Sequence, residues 1–325
     1  MKTLMIYGAT GYTGRMAAEN AQAQGLDLVI AGRNRQRLEP LAAQLGAPYR
    51  VFTPDTLGTD ALEGIDVLLN FAGPFAQTAG VLMQACIAAG VDYLDITAEI
   101  NVYRLAEQLG ALATEAGVML LPGVGWDVVP TDCLAMQVAS RVQNPQSLKV
   151  ALQVPGSMSR GSALSVGEII GAGILARVDG QLIATPNAQP YSMDFGDGPV
   201  LCAPLSFGDL VTAWHSTGIP NIAMFVHISG DAFPEGDLSQ LPDGPSLQQR
   251  EAHRARAVAE VTGADGRVVR SVIETVNGYT YTPLAAVEAA RRVLAGERQP
   301  GFATPGQLLG REFAESIAGT TIIDV

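Results

Sequence analysis

Residues 3–14 read TLMIYGATGYTG, an apolar run followed by glycines at positions 8, 11 and 14. The run shows no polar alternation, which predicts a strand covered on both faces. The helical pattern of GRMAAENAQAQG follows directly, so the glycines occupy a strand-to-helix turn. Glycine lets the backbone turn tightly there and approach a ligand closely. The first N–H groups of the helix are left without intrahelical acceptors, and together with the helix dipole they favour an anion. In this context the expected anion is a dinucleotide pyrophosphate, with Gly8, Gly11 and Gly14 making the close approach and Thr10, Tyr12 and Thr13 beside the phosphates. The spacing is GxxGxxG rather than GxGxxG, as in loops one residue longer.

Working outward, the next hundred residues alternate strand and helix patterns. LDLVIAG precedes RNRQRLEPLAAQLG, PYRVFT precedes the short turn DALEG, DVLLNFAG precedes AGVLMQACIAAG, VDYLDIT precedes VYRLAEQLGALATEAG, and VMLLPG closes the series. Six strands with crossovers predict an α/β, doubly wound parallel sheet of the Rossmann type. From about residue 145 the strands lengthen and alternate (SLKVALQV, PVLCAPLSF, NIAMFVHIS, GRVVRSVIETV), with turns at VDGQ and FGDGP. SALSVGEIIGAGILA and SLQQREAHRARAVAEVTG read as helical, and GDAFPEGDLSQLPDGP (230–245) as an exposed loop. A second, α+β domain on a mostly antiparallel sheet follows. Thr282-Pro283 and Thr304-Pro305 each place a hydroxyl at a helix N-cap and proline at N1. The domain expectation is 1–130 for dinucleotide binding with 282–325 returning to it, and 131–281 for substrate binding or oligomerisation.

A chain of 325 residues with 48% hydrophobic content suits two domains. A net charge of −12 and a pI near 4.7 argue against nucleic acid or anionic lipid as partners and for a small molecule. No window is apolar enough to span a membrane and the first strand leaves no room for a leader, so a cytoplasmic protein is expected. A homodimer is a possible assembly. Cys86, Cys133 and Cys202 lie far apart, and His215, His227 and His253 form no ligand pair, so no metal is expected.

An NAD-binding fold places a carboxylate at the end of its second strand to hold the ribose hydroxyls. Here the segment reads AGRNRQR. Arg33, with Asn34 and Arg37 nearby, offers a guanidinium to a 2′-phosphate through charge-assisted hydrogen bonds, so the expected cofactor is NADP(H). Arg35 reads as a solvated helix start. Lysine is nearly absent: Lys2 and Lys149 are the whole complement. That excludes the YxxxK pair of short-chain dehydrogenases and the P-loop.

YGATGYTG, LVIAGRN, LLNFAGPFAQTAGVLMQACIAAGVDYLDITAE, PGVGWDVVPTDCLA, SRGSALS and GFATPGQLLG together resemble the saccharopine dehydrogenase-like oxidoreductases, which include trans-acting enoyl reductases. The resemblance implies an NADP-binding domain, an α+β second domain and C-terminal helices returning to the first. It also implies that Gly8, Gly11, Gly14 and Arg33 bind cofactor, that Asp55 lies near the adenine, and that Phe71, Ala72, Gly73, Pro74 and Phe75 pass beside the nicotinamide half, with Thr97 following. Two segments depart from the family: Thr97-Ala98-Glu99 stands where TGE is common, and GVGWDVVPTD where GFDSVPSD is. Both fall on the expected substrate side.

Hydride chemistry needs a proton source beside the cofactor. Asp127, Glu99, Tyr279 and Tyr281 are the candidate donors, Asp127 and Tyr279 foremost, with a bound water as another route. Asp127 also suits a cap for a helix starting near Pro130. The expected activity is hydride transfer from NADPH to a C=N or conjugated C=C bond; the alternative is an NADP(H)-binding redox sensor without catalysis.

Overall fold

The computed structural model describes residues 2–58, 60–156, 158–229 and 243–325. In chain order the elements begin β1 (Thr3–Tyr7), α1 (Tyr12–Ala23), β2 (Asp27–Gly32), α2 (Arg35–Leu45), β3 (Tyr49–Val51), β4 (Val67–Asn70), α3 (Phe75–Ala89), β5 (Asp92–Asp95), α4 (Ile100–Glu115) and β6 (Met119–Leu121). They continue with α5 (Val129–Ala139), β7 (Pro145–Pro155), α6 (Arg160–Gly171), β8 (Leu175–Val178), β9 (Gln181–Ala184), β10 (Tyr191–Asp194), β11 (Pro199–Pro204), α7 (Asp209–Thr217) and β12 (Asn221–Ser229). The last are α8 (Leu247–Glu251), β13 (Ala255–Gly263), β14 (Val268–Thr275), α9 (Gly278–Ala295), β15 (Gly301–Phe302), α10 (Pro305–Leu309) and β16 (Thr321–Asp324). The chain divides into two compact units. The first holds Met1–Thr97, Asn101–Gly125 and Thr282–Ala303, and the second holds Ala98–Ile100, Trp126–Tyr281 and Thr304–Val325.

In the first unit the sheet runs β15-β6-β5-β4-β1-β2-β3, parallel throughout. The order reverses between β1 and β4, the switch point at which open α/β sheets bind ligands. The apolar strands fill the core: Met5, Leu68, Tyr93 and Leu120 pack with Leu82, Met83 and Cys86 of α3. Cys86 is fully buried, and burial pushes its thiol up, so it serves as a small hydrophobe. The sheet has one strand more than the six expected. β15 is too short to show a period, and it pairs β6 through Gly301 N–H to Val118 O at 2.8 Å and Ala303 N–H to Leu120 O at 3.0 Å. The returning segment is also fixed by Arg298, which donates to both oxygens of buried Asp92 at 2.6 and 2.7 Å. Asn20 of α1 donates to Pro283 O at 3.3 Å.

In the second unit the sheet runs β10-β11-β12-β7-β13-β14-β16, with β8 on β12 and β9 on β8. The central β7–β12 pair is parallel and every other pair antiparallel. Ala151, Phe225, Val258 and Val272 form one core patch with Met193, Phe195 and Cys202 of the β10–β11 segment.

Several expectations need correction. Of 246–263, expected helical, only Leu247–Glu251 is; Ala255–Gly263 is a central strand pairing β7 and β14 over its length. Its alanines favour a helix alone, but the ladder on both sides outweighs that propensity. Thr282 does not start a helix. α9 opens four residues earlier, with Asn277 Oδ1 accepting from Tyr279 N–H at 3.0 Å, and Pro283 lies inside it. Thr304 caps α10 through Gln307 N–H, with Pro305 at N1. Residues 304–325, expected with the first unit, belong to the second: β16 pairs β14, and Asp132 Oδ2 of α5 accepts from Gly306 N–H at 2.8 Å. The break after β6 comes at 125/126 rather than at 130. The 230–245 loop lies mostly outside the described residues. No described helix is long and apolar enough to cross a membrane.

Candidate active site

The glycine turn sits at the switch point of the first sheet. Gly8 adopts φ +80°, and a Cβ there would stand 2.8 Å from Ala72 N and 2.9 Å from Phe71 C, so the turn lies against the segment leaving β4. A Cβ on Gly14 would meet Gly8 O at 2.3 Å, and one on Gly11 would meet it at 3.2 Å. Gly11 N–H donates to Gly8 O at 3.0 Å, closing the turn. α1 then begins with neither a side-chain cap nor an acidic residue in its first turn. Among the described residues, the N–H groups of Thr13 and Gly14 have no acceptor.

At the end of β2, Arg33 is exposed. Tyr7 lies close by: burial raises its phenol to about 12, Arg33 draws it down and Asp55 raises it, so both charges face that ring. Tyr7 stacks on Phe52 with centroids 4.9 Å apart, which places the ends of β1 and β3 beside Arg33. Asn34 Oδ1 is occupied by Arg37 N–H at 3.2 Å as the cap of α2. Arg35 pairs with Glu39 and Tyr49 on the outer helix face. Asp55 lies exposed on a single 3₁₀ turn, Pro54–Thr56.

The ends of β4 and β5 carry a buried polar network that the sequence reading missed. Asn70 Oδ1 accepts from Ala72 N–H at 2.8 Å, and Asn70 Nδ2 donates to Tyr93 OH at 3.1 Å. Tyr93 OH donates to Asp95 Oδ2 at 2.9 Å, while Asp95 Oδ1 accepts from Thr97 and Gly123 N–H, each at 3.0 Å. Asn70 and Asp95 are fully buried. The network fixes Phe71–Pro74, Thr97 and Gly123, three strand ends, relative to one another. The available signal was a lone polar residue closing each apolar strand, in LLN and YLD. Phe71 and Phe75 are buried, Phe75 within the core, while Ala72, Gly73 and Pro74 keep partial or full exposure beside the glycine turn.

In the second unit, Trp126 and Asp127 precede α5. Asp127 does not cap that helix: Val128 stands at the N-cap, and Thr131 Oγ1 donates to Asp127 O at 3.3 Å. The Asp127 carboxyl has no hydrogen-bond partner among the described residues, and burial raises it from 3.8 to about 6. Trp126 Nε1 donates to Thr275 Oγ1 at 2.9 Å, and its ring lies 3.2 Å from where a Cβ on Gly278 would stand. Tyr279 OH accepts from Ser159 N–H at 2.7 Å and donates to Ser162 Oγ at 2.9 Å, so the phenol secures the first turn of α6. Tyr281 is fully buried and donates to Ala314 O at 3.3 Å. Glu99, also buried, accepts from Ser165 Oγ at 2.8 Å.

The family model for the saccharopine dehydrogenase NADP binding domain matches residues 4–121. Over that stretch, about a third of the chain, the sequence is similar to that family. The matched stretch runs from β1 through β6. Trans-acting enoyl reductase of Mycobacterium tuberculosis is 30% identical over 148 residues, 42% of this chain and 35% of that protein. Its Mycobacterium leprae counterpart is 30% identical over 149 residues, 43% and 36% respectively. The matched stretch thus spans about a third of the length of these curated relatives. Apo saccharopine dehydrogenase (L-Glu forming) from Saccharomyces cerevisiae shares the fold over all of both chains, with a TM-score of 0.65 at 14% identity.

The residues of the NADP-binding domain fit its cofactor. The α1 N-terminus offers the acceptor-free N–H groups of Thr13 and Gly14, the glycines leave no Cβ in the cradle, and Arg33 stands exposed just after β2. Gly8, Gly11, Gly14 and Ala72 come together at the switch point, and Arg33 and Asp55 gather around Tyr7. Asn34 and Arg35 are engaged within α2 and its neighbours instead.

Proposed function

We propose that the chain is an NADPH-dependent oxidoreductase that reduces a C=N or conjugated C=C bond of a small molecule. The observation that carries this reading is the pair of acceptor-free N–H groups of Thr13 and Gly14 at the uncapped start of α1 behind the glycine turn, in a stretch that matches the NADP binding domain model. When bound there, NADPH supplies the hydride. Thr13 and Gly14 N–H groups hold the pyrophosphate, and Arg33 selects the phosphorylated ribose. In the second unit, Asp127 holds the proton. Its carboxyl has no partner to give that proton to, and its raised value near 6 keeps it protonated closer to neutrality than an exposed aspartate. Trp126, pinned by Thr275, fixes the backbone on which Asp127 sits. Tyr279 already donates to Ser162, so its part is to hold α6 rather than to deliver a proton.

A cytoplasmic homodimer is part of the same proposal, to be checked by cell fractionation and light scattering. The decisive test is a panel of imines and enones with NADPH. At least one should oxidise NADPH faster than the protein-free control, with kcat lowered in Asp127→Asn. NADPH binding without turnover across the panel would overturn the reading and leave a sensor in its place.

A further inference from the structure

The second unit contains a half-buried guanidinium, that of Arg250, without a counter-charge among the described residues. Arg250 stands in the last turn of α8, a short helix held by a reciprocal cap in which Ser246 N–H donates to Gln249 Oε1 at 2.8 Å and Gln249 N–H to Ser246 Oγ at 3.3 Å. Its Nη1 donates to Thr280 Oγ1 at 3.1 Å, and its Nε is buried with no acceptor. No carboxylate pairs with it among the described residues.

The surrounding unit makes this unusual. Arg141, Arg160, Arg254, Arg256, Arg270 and Arg311 each meet an aspartate or glutamate. Arg177 is met by the carbonyls of Leu210 and Gly180. Carboxylates outnumber cationic side chains 32 to 20 in the chain, so a counter-ion for Arg250 was not scarce. A buried donor left unmade carries its full desolvation cost, which a bound acceptor removes.

Position gives the acceptor a role. Thr280 follows Tyr279 and Gly278 in the first turn of α9, and Gly278 packs on the ring of Trp126, the residue before Asp127. We propose that Arg250 and Thr280 form an oxyanion subsite that takes a carboxylate or phosphoryl group of the substrate. The inference rests on the reading of Asp127 as the proton source, and it narrows the substrate to an anionic one. Three rigid features hold the subsite: the α8 cap, the α9 start and the pinned Trp126. Rotation of the guanidinium on its flexible stem turns the Nε and Nη2 edge to two oxygens side-on, the paired geometry arginine favours.

The test uses the full chain at fixed ionic strength, titrated with sodium acetate and separately with inorganic phosphate, and read by thermal shift and calorimetry. Wild type should show saturable binding of at least one probe. Arg250→Gln should weaken it at least tenfold, with Arg250→Lys between, while Arg267→Gln on the exposed surface binds as wild type does. Acetate preferred identifies a carboxylate substrate, and phosphate preferred a phosphorylated one. Non-saturable binding, or equal binding in wild type and Arg250→Gln, refutes the subsite. Every variant is also titrated with NADPH by fluorescence. Unchanged NADPH binding with no anion binding defeats this inference alone, whereas loss of NADPH binding by wild type defeats the proposed function and not the subsite.

Discussion

Replacing Gly8 with alanine isolates the contact on which the cofactor cradle depends. Gly8 has φ +80°, a conformation that costs a side-chain-bearing residue about 1–2 kcal/mol. Its new Cβ would also lie 2.8 Å from Ala72 N and 2.9 Å from Phe71 C, backbone atoms that Asn70 and Tyr93 hold in place. Overpacking of this kind adds about 1–3 kcal/mol. Gly46 supplies the control: its φ is +64° and nothing lies within 4 Å of its Cβ position, so Gly46→Ala incurs the conformational cost alone. At about 2–4 °C per kcal/mol, Gly8→Ala should lower the melting midpoint by about 4–20 °C and Gly46→Ala by about 2–8 °C. The assay is differential scanning calorimetry of wild type and both variants at one pH, followed by NADPH titration. Gly8→Ala should also weaken NADPH more than tenfold, because the displaced turn moves the N–H groups of α1, while Gly46→Ala should leave the affinity unchanged. Equal midpoint losses in the two variants would refute the close approach of the turn to the β4 end.

Three further outcomes follow from named contacts. Arg33→Ala should weaken NADPH by about 10-fold to 150-fold, from a charge-assisted hydrogen bond of about 1.5–3 kcal/mol, and leave NADH nearly unchanged; equal losses in parallel titrations would give Arg33 a structural role. Asp127 is raised from 3.8 to about 6 by burial, so the native state binds its proton more tightly than the unfolded chain. Its stabilising contribution is complete below pH 3.8 and is lost as pH rises through 6, roughly 3 kcal/mol at 1.36 kcal/mol per pH unit. Urea midpoints across that window should fall more steeply in wild type than in Asp127→Asn, and kcat/KM for a panel substrate should decline above about pH 6. Asp132→Ala would strand the buried Gly306 N–H and should cost about 1–3 kcal/mol in urea unfolding, without altering NADPH affinity.

The first unit was largely legible because its signals are local. TLMIY and DVLLNFA can only be strands covered on both faces, and glycines between strand and helix admit few uses. The place of Arg33 was legible for the same reason: it follows β2 directly and stands exposed there. The second unit resisted where neighbours decide. RAVAEVTG carries helix-forming alanines, and only the ladders of β7 and β14 make it a strand. Asp127 has the composition of a cap, yet Val128 takes that place and leaves the carboxyl without a partner. Asn277 outcompetes Thr282 because its side chain reaches Tyr279 N–H, which moves the start of α9 a full turn upstream. Tyr279 read as a donor from its type alone, whereas its phenol meets Ser159 and Ser162, more than a hundred positions earlier.

The pairing of Asp92 with Arg298 joins residues 206 positions apart in the chain, and that separation is also a time. A ribosome adding roughly 5–20 residues each second exposes the strand that bears Asp92 about 10–40 s before it delivers the arginine that neutralises it. Through that interval the nascent sheet also lacks β15, so the edge of β6 stays open while every strand of the second sheet except β16 emerges. The nucleotide-binding half of the molecule, although written first, is finished almost last, and a nascent-chain binding factor would find its unpaired β6 edge and uncompensated carboxylate available for most of the synthesis of the protein.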